Sequence, residues 1–146
     1  MGEGNAVDAE QYLKERVDAQ IEWFSNRSGT NQTRFKQLRL AEIVLASTIP
    51  LLTAYADANT RLKVIAGIVG VLIAVIAGAL ALYKYQENWI HYRTTAEAMT
   101  REKMLFLTRS GPYIGDNAFQ EFVGRIENIL GSENSQWAEA AKQSQK

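Results

Sequence analysis

The chain has 146 residues, a length that one domain fills. Its 16 basic residues balance 16 acidic ones, so it lacks the basic excess expected of a nucleic-acid binder. With no cysteine and one histidine, disulfides, thiolate metal sites and thiol nucleophiles are excluded, and a histidine-based metal centre or relay has almost nothing to build on.

Residues 8–25 read as an amphipathic helix. Asp8 followed by Gln11 has the form of a capping box, and Leu13, Val17, Ile21 and Phe24 recur at spacings of four, four and three. Gly29 suits a connection, with Thr30 capping a second helix that runs from Asn31, through Phe35 and Leu38, into residues 40–56. The stretch 8–39 is thus expected to be helical and to lie outside the bilayer.

Residues 40–56, LAEIVLASTIPLLTAYA, form a first candidate span that carries Glu42, Ser47, Thr48 and Pro50. Pro50 removes one backbone donor and is expected to kink the helix, a defect that neighbouring helices in a membrane can repair. Residues 57–63, DANTRLK, make a short external loop of the kind that joins antiparallel helices. Residues 64–83, VIAGIVGVLIAVIAGALALY, have no charge and no amide side chain. A helix of that length is about 30 Å long, the thickness of a bilayer's hydrocarbon, and it is apolar on every face. Neither span reads as a signal peptide, since both lie well inside the chain and no small-residue cleavage pattern follows the first.

The flanks set the topology. Arg27, Arg34, Lys36 and Arg39 precede the first span and Lys84 and Arg93 follow the second, whereas the loop holds only Arg61 and Lys63. The positive-inside rule then puts both termini in the cytoplasm. Tyr55 at one end, and Tyr83, Tyr85 and Trp89 at the other, fit interfacial aromatic belts.

Beyond the second span, residues 84–131 are expected to be a cytoplasmic helical region. No Gly or Pro interrupts residues 80–110, and Tyr85, Trp89, Tyr92, Ala96 and Met99 follow a heptad-like spacing that Lys103 breaks and Phe106 resumes. One continuous helix from 64 to about 108 is the expectation, stopped by Gly111 in the left-handed conformation and Pro112. A final helix is expected over 117–130, opened by an Asn117/Gln120 capping box, striped with Phe119, Phe122, Val123, Ile126 and Leu130, and stopped at Gly131. Residues 132–146 read as a polar tail.

Within the second span Ala66, Gly70, Ala74 and Gly78 recur every fourth residue and let another helix approach closely. They either pack on the first span of the same chain or face a neighbouring subunit; Gly67, Ala77 and Ala81 on an adjacent face favour several partners and hence a homo-oligomer. Glu42, about one turn inside the first span, either pairs with Arg39 or Lys84 at the headgroup level or belongs to a ring of pore carboxylates. Ser47, Thr48 and Thr53 are further pore-lining candidates; taken singly, each also suits bonding back to its own helix. The charged run 86–103 suits a solvated face laced by pairs such as Arg93 with Glu97 and Glu97 with Arg101, and His91 is expected to be structural. No phosphate loop, nucleophile elbow or metal motif occurs, so the expectation is no enzyme, no cofactor and no metal.

Three segments, YLKERVDAQIEWF (12–24), RLAEIVLASTIPLL (39–52) and YQENWIHYRTTAEAMTREKMLFLTRSGPY (85–113), resemble the SLATT family of two-transmembrane bacterial proteins. The resemblance covers residues 10–137 and lies most specifically in Gln86, Glu87, Asn88 and Trp89, then Tyr92 and Arg93, Ala96 and Glu97, Glu102 and Lys103, and Gly111 to Tyr113. It implies an inner-membrane effector of conflict or defence systems, forming pores for permeant ions when a cytoplasmic sensor protein signals. No fused sensor domain is expected within these 146 residues, so the expected gating input is a separate partner or ions, voltage or tension directly. The expectation is therefore an all-α protein, a membrane hairpin with long cytoplasmic helical extensions, assembling with itself among lipids around an ion-conducting pore. The alternative is a non-conducting oligomeric scaffold that docks a cytoplasmic partner; a small enzyme acting on lipids ranks behind both.

Overall fold

The computed structural model describes residues 8–56 and 60–143, with the side chains of 134–143 outside the description. It is all-helical over those residues. Helix α1, Ala9–Ala54, contains a π-helical stretch, Leu13–Asp18. Helices α2, Thr60–Tyr83, and α3, Tyr85–Leu107, follow, then a 3-10 turn, Gly111–Tyr113, and helix α4, Ala118–Gln143. The chain divides into two compact units, one of Met1–Asn26 with Tyr92–Lys146 and the other of Arg27–His91.

The first unit is a three-helix cluster with its own core. The start of α1 contributes Val17 and Phe24, α3 contributes Tyr92, Ala96 and Met99, the turn contributes Tyr113, and α4 contributes Phe122, Ile126 and Leu130, all buried. Two successive steps of four residues drift off the face of an α-helix. The wider turn at Leu13–Asp18 takes up that drift, so Val17 and Phe24 both end in the core. Phe122 sits at the centre, stacked on Phe106 at 4.5 Å and edge-on to Tyr113 at 5.9 Å and Tyr12 at 6.3 Å.

The second unit is the hairpin. Along the hairpin part of α1 the buried and half-buried positions include Ser28, Asn31, Phe35, Leu38, Glu42, Leu45, Ile49 and Leu52, which alternate by three and four and continue to Ala56 just beyond the helix. In α2 they include Leu62, Ala66, Val69, Ile73, Ile76 and Leu80, with the same alternation. Each helix therefore has one covered seam within the unit, and most of the remaining surface of both stays exposed.

Several expected boundaries are corrected. Helix α1 runs through Gly29 with no second cap at Thr30, and at Asp8 no side-chain cap bond forms; Gln11 donates instead to Glu15 at 3.1 Å. Helix α2 begins at Thr60, inside the expected loop 57–63, of which residues 57–59 lie outside the described residues. The single helix from 64 to 108 is broken at Lys84, whose φ is 46°. There the Asn88 amide donates to the Tyr83 carbonyl at 3.1 Å and its backbone N–H to the Lys84 carbonyl at 3.0 Å, which replaces bonds lost at the break. At the end of α3 the left-handed cap is Arg109, φ 49°, in a Schellman arrangement with Ser110 N–H on the Leu105 carbonyl and Arg109 N–H on that of Phe106. Gly111 is also left-handed, φ 63°, but it opens the 3-10 turn rather than capping the helix. Helix α4 continues through Gly131 to Gln143, so most of the expected tail is helix; residues 144–146 lie outside the description.

Phe122→Ala would leave a hole against three rings and cost about 3–5 kcal/mol. Thermal unfolding followed by near-ultraviolet circular dichroism, beside exposed Gln120→Ala as a neutral reference, checks that magnitude.

Candidate functional site

Among the described residues two helices are long and apolar enough to cross a bilayer, and none of the most apolar window of either is buried by the chain itself. A central helix of a soluble bundle would be covered by its neighbours. Here Leu40, Leu51, Val71, Val75 and Leu82 all stand exposed.

The positions of the polar groups in the hairpin follow from the two seams. Glu42 lies on the α1 seam, where its side chain is 16% exposed and accepts from Arg39 Nη1 at 2.7 Å. This is the pairing weighed from the sequence, one turn away on the same helix. Thr48 is half-buried and donates to the Leu45 carbonyl at 2.7 Å. Ser47 and Thr53 are exposed, Ser47 donating to the Val44 carbonyl at 2.7 Å and Thr53 to the Ile49 and Pro50 carbonyls at 3.0 Å. Each hydroxyl is thus satisfied by its own helix. Pro50 sits inside the helix and has no N–H to return to the Ala46 carbonyl one turn back.

The small-residue stripe divides. Ala66 is half-buried on the α2 seam, while Gly70, Ala74 and Gly78 are exposed. A Cβ built on Gly67, Gly70 or Gly78 meets nothing within 4 Å. The stripe does not serve the contact with the first span: larger residues, Val69, Ile73 and Ile76, fill that seam.

The residues that carry the family resemblance are mostly structural ties. In the hairpin unit, Glu87 pairs with Lys84 at 3.3 Å, Gln86 is exposed, Asn88 bridges the break, and the Trp89 carbonyl accepts from the Ser28 hydroxyl at 2.9 Å. The Trp89 indole N–H is buried and has no acceptor among the described residues. In the other unit Tyr92 is buried against Phe24 and Trp23, and Arg93 pairs with Glu97 at 2.6 Å on an exposed face. Glu102 accepts from the Tyr113 hydroxyl, and Lys103 reaches Asp18 at 2.5 Å, joining α3 to α1. Lys103 thus occupies a seam position that looked like an interruption and uses it for a cross-helix ion pair.

Sequence reasoning missed a second cross-helix tie. Glu127 on α4 accepts from Arg16 Nε at 3.1 Å and Nη2 at 3.0 Å, a forked pair, and from the Tyr12 hydroxyl at 2.9 Å. A separation of more than a hundred residues hides such a contact from any local pattern. The Arg16 bond holds the Glu127 carboxyl below its ordinary value, against a smaller opposing effect of burial. Burial, reinforced by the bond to Glu127, pushes the Tyr12 hydroxyl up to about 12, and burial raises Tyr113 in the same way beside Glu102. Beside this tie lies a groove of about 500 Å³, lined by Arg16, Gln20, Trp23, Phe24, Leu130 and Glu133. The Glu133 carboxylate at its edge accepts from the buried Thr95 hydroxyl at 2.6 Å. Among the described residues no group of three or more acidic or histidine side chains is placed to hold a metal.

The lowered Glu127 carboxyl stabilises the fold above the unfolded value of 4.5, and that contribution is lost as pH falls through the lower folded value. Wild type should therefore melt above Glu127→Gln at pH 7, and the gap should close progressively below pH 4.5; parallel melting curves across pH would remove the coupling.

No curated protein and no solved structure matches the chain significantly. A family of proteins of unknown function, DUF4231, matches residues 19–120, which takes in both apolar helices, the Lys84 break and the Arg109 cap. That match covers more than two-thirds of the chain, and the protein belongs to the DUF4231 family.

Proposed function

We propose that the chain is one subunit of a homo-oligomeric inner-membrane protein whose spans enclose an ion-conducting pore. The observation that carries the reading is the character of the surface the hairpin leaves uncovered. On α2 that surface presents Gly67, Gly70, Ala74 and Gly78, which gain little from lipid and much from the close approach of another helix. On α1 it presents Ser47, Thr53 and the helix segment around Pro50, where the Ala46 carbonyl lacks its usual donor. Backbone polarity of that kind is tolerated at membrane depth against protein or water rather than lipid. One face suits packing between subunits and the other suits a wetted path.

In this arrangement α2 packs neighbouring subunits through the small residues, and α1 turns Ser47 and Thr53 toward the pore. Glu42, on the seam and paired with Arg39, sits near the cytoplasmic mouth, where this ion pair acts on a permeating ion from behind the wetted face. The basic residues flanking the hairpin orient both termini to the cytoplasm. The resemblance to SLATT proteins supports an effector opened by a separate sensor. A non-conducting scaffold is the second reading, favoured by the groove of the three-helix unit, where Trp23 is 45% exposed.

Gly70→Leu with Gly78→Leu tests the assembly cleanly, because added side chains meet nothing within the subunit. Helix content should hold while the particle in detergent shrinks toward a monomer; an unchanged size would remove the packing role. Ion flux through liposomes holding the wild type, with Glu42→Gln beside it, tests conduction. Flux altered severalfold by the variant supports the pore with Glu42 at its mouth. Flux unaffected by it leaves Glu42 an anchoring pair. The absence of flux, with the oligomer intact, favours the scaffold.

A further inference from the structure

We infer that the inner end of the hairpin binds an anionic phospholipid, the lipid phosphate lying between Arg39 and Lys84. The inference rests on the reading of the two apolar helices as membrane spans.

A cavity of about 420 Å³ opens where the seam of the hairpin ends. Its walls are of two kinds. Leu80 and Ala81 on α2, with half-buried Phe35 on α1, make an apolar side. Arg39, Lys84 and Glu87 make a charged side. Lys84 is the first residue beyond the apolar helix, at the level where hydrocarbon gives way to headgroups. The left-handed turn there separates α2 from α3, and the Tyr83 and Tyr85 rings lie 5.4 Å apart on either side of it, in keeping with an interfacial belt.

The two cations have capacity to spare. Arg39 spends one N–H on Glu42, its one acceptor among the described residues, which leaves most of a planar fork suited to phosphate oxygens. Lys84 meets Glu87 at 3.3 Å, with both side chains more than half exposed, a pairing that is weak and exchanges readily with a stronger anion. A free phosphate would engage only the charged wall and leave the apolar one wet. A glycerophospholipid places its phosphate on Arg39 and Lys84 and the first methylenes of its chains along Leu80 and Ala81. Basic pockets between helices at the cytoplasmic face take acidic headgroups on the same physics. Because Glu42 shares Arg39, an occupied site also bears on the charge at the mouth of the hairpin.

The test uses the full-length protein. Extraction comes first: resistance to alkaline carbonate with release by detergent supports the spans, and release by carbonate overturns the span reading and the lipid inference with it. Native mass spectrometry then counts lipids retained when phosphatidylglycerol and phosphatidylcholine are added in equal amounts. Preferential retention of phosphatidylglycerol is expected, reduced by Lys84→Gln and cut roughly tenfold or more by Arg39→Gln with Lys84→Gln, the weight of two interfacial cations. Arg125→Gln, which removes an exposed cation outside the hairpin unit, should leave it unchanged. Equal retention of the two lipids, or a double variant that still prefers phosphatidylglycerol, overturns the inference while the spans stand. Displacement of the lipid by millimolar inorganic phosphate overturns it too, in favour of a soluble-anion site.

Discussion

Apolar surface that the chain does not cover is the constraint on which the rest of the structure depends. Two antiparallel helices can hide only one seam from solvent, and the hairpin hides one seam. Leu40, Ile43, Val44 and Leu51 on α1, with Ile68, Val71, Leu72 and Val75 on α2, remain on the outside. At roughly 25 cal/mol per Å² of apolar area buried, such a surface left in water forgoes the stabilisation that its burial would supply. The sequence does not soften the exposure with charge, since residues 64–83 carry none. Whatever covers this surface must be apolar, extended along both helices and supplied from outside the subunit.

The other unit meets the same demand internally, and the contrast explains the division of the chain. There the helices have one apolar stripe each, and the three stripes close on Phe122, Met99 and Ile126, which are fully buried. A core this small leaves register to polar ties, and each helix takes part in at least two: Arg16 and Tyr12 with Glu127, Lys103 with Asp18, Glu102 with Tyr113, Thr95 with Glu133. Exposed pairs add little to stability, but a forked Arg16–Glu127 bond is satisfied in a single sliding register of α1 against α4. The π-helical stretch belongs to the same economy: it lets the Val17 and Phe24 positions meet the core while Arg16 reaches across.

The all-helical class, both apolar helices and the core stripe were legible because each is written in local periodicity. Val17, Phe24, Tyr92, Ala96, Met99, Phe122, Ile126 and Leu130 stand where spacing predicts them. The punctuation was less legible. Gly29 and Gly131 look like stops, yet each costs a helix only about 1 kcal/mol, which neighbouring turns on both sides offset. Lys84 looks like helix and is a break, while the left-handed cap expected at Gly111 falls on Arg109. A left-handed turn at a residue with a Cβ has no local signature; it is set by the bonds that replace the helical ones, here from Asn88 and from Ser110. The polar ties other than Glu102–Tyr113 span dozens of residues and leave no trace in any window.

The hairpin seam also reassigns the small residues. Had Gly70, Ala74 and Gly78 faced the first span, their role would have ended with closing the subunit. The seam is filled instead by Val69, Ile73, Ile76 and Leu80, side chains that hold two helices apart at an ordinary distance, and the glycines lie on the exposed side. Glycine on an exposed helix face lowers helix propensity and offers nothing to lipid. Its use is to let a second backbone come close, and within this subunit nothing does. The same logic applies to the first helix, where the Pro50 defect and the Ser47 hydroxyl lie off the seam that would most readily have hidden them. Two independent departures from what lipid favours, one on each helix, thus lie on the exposed side of the hairpin, and the proposed assembly of further copies is what would resolve both.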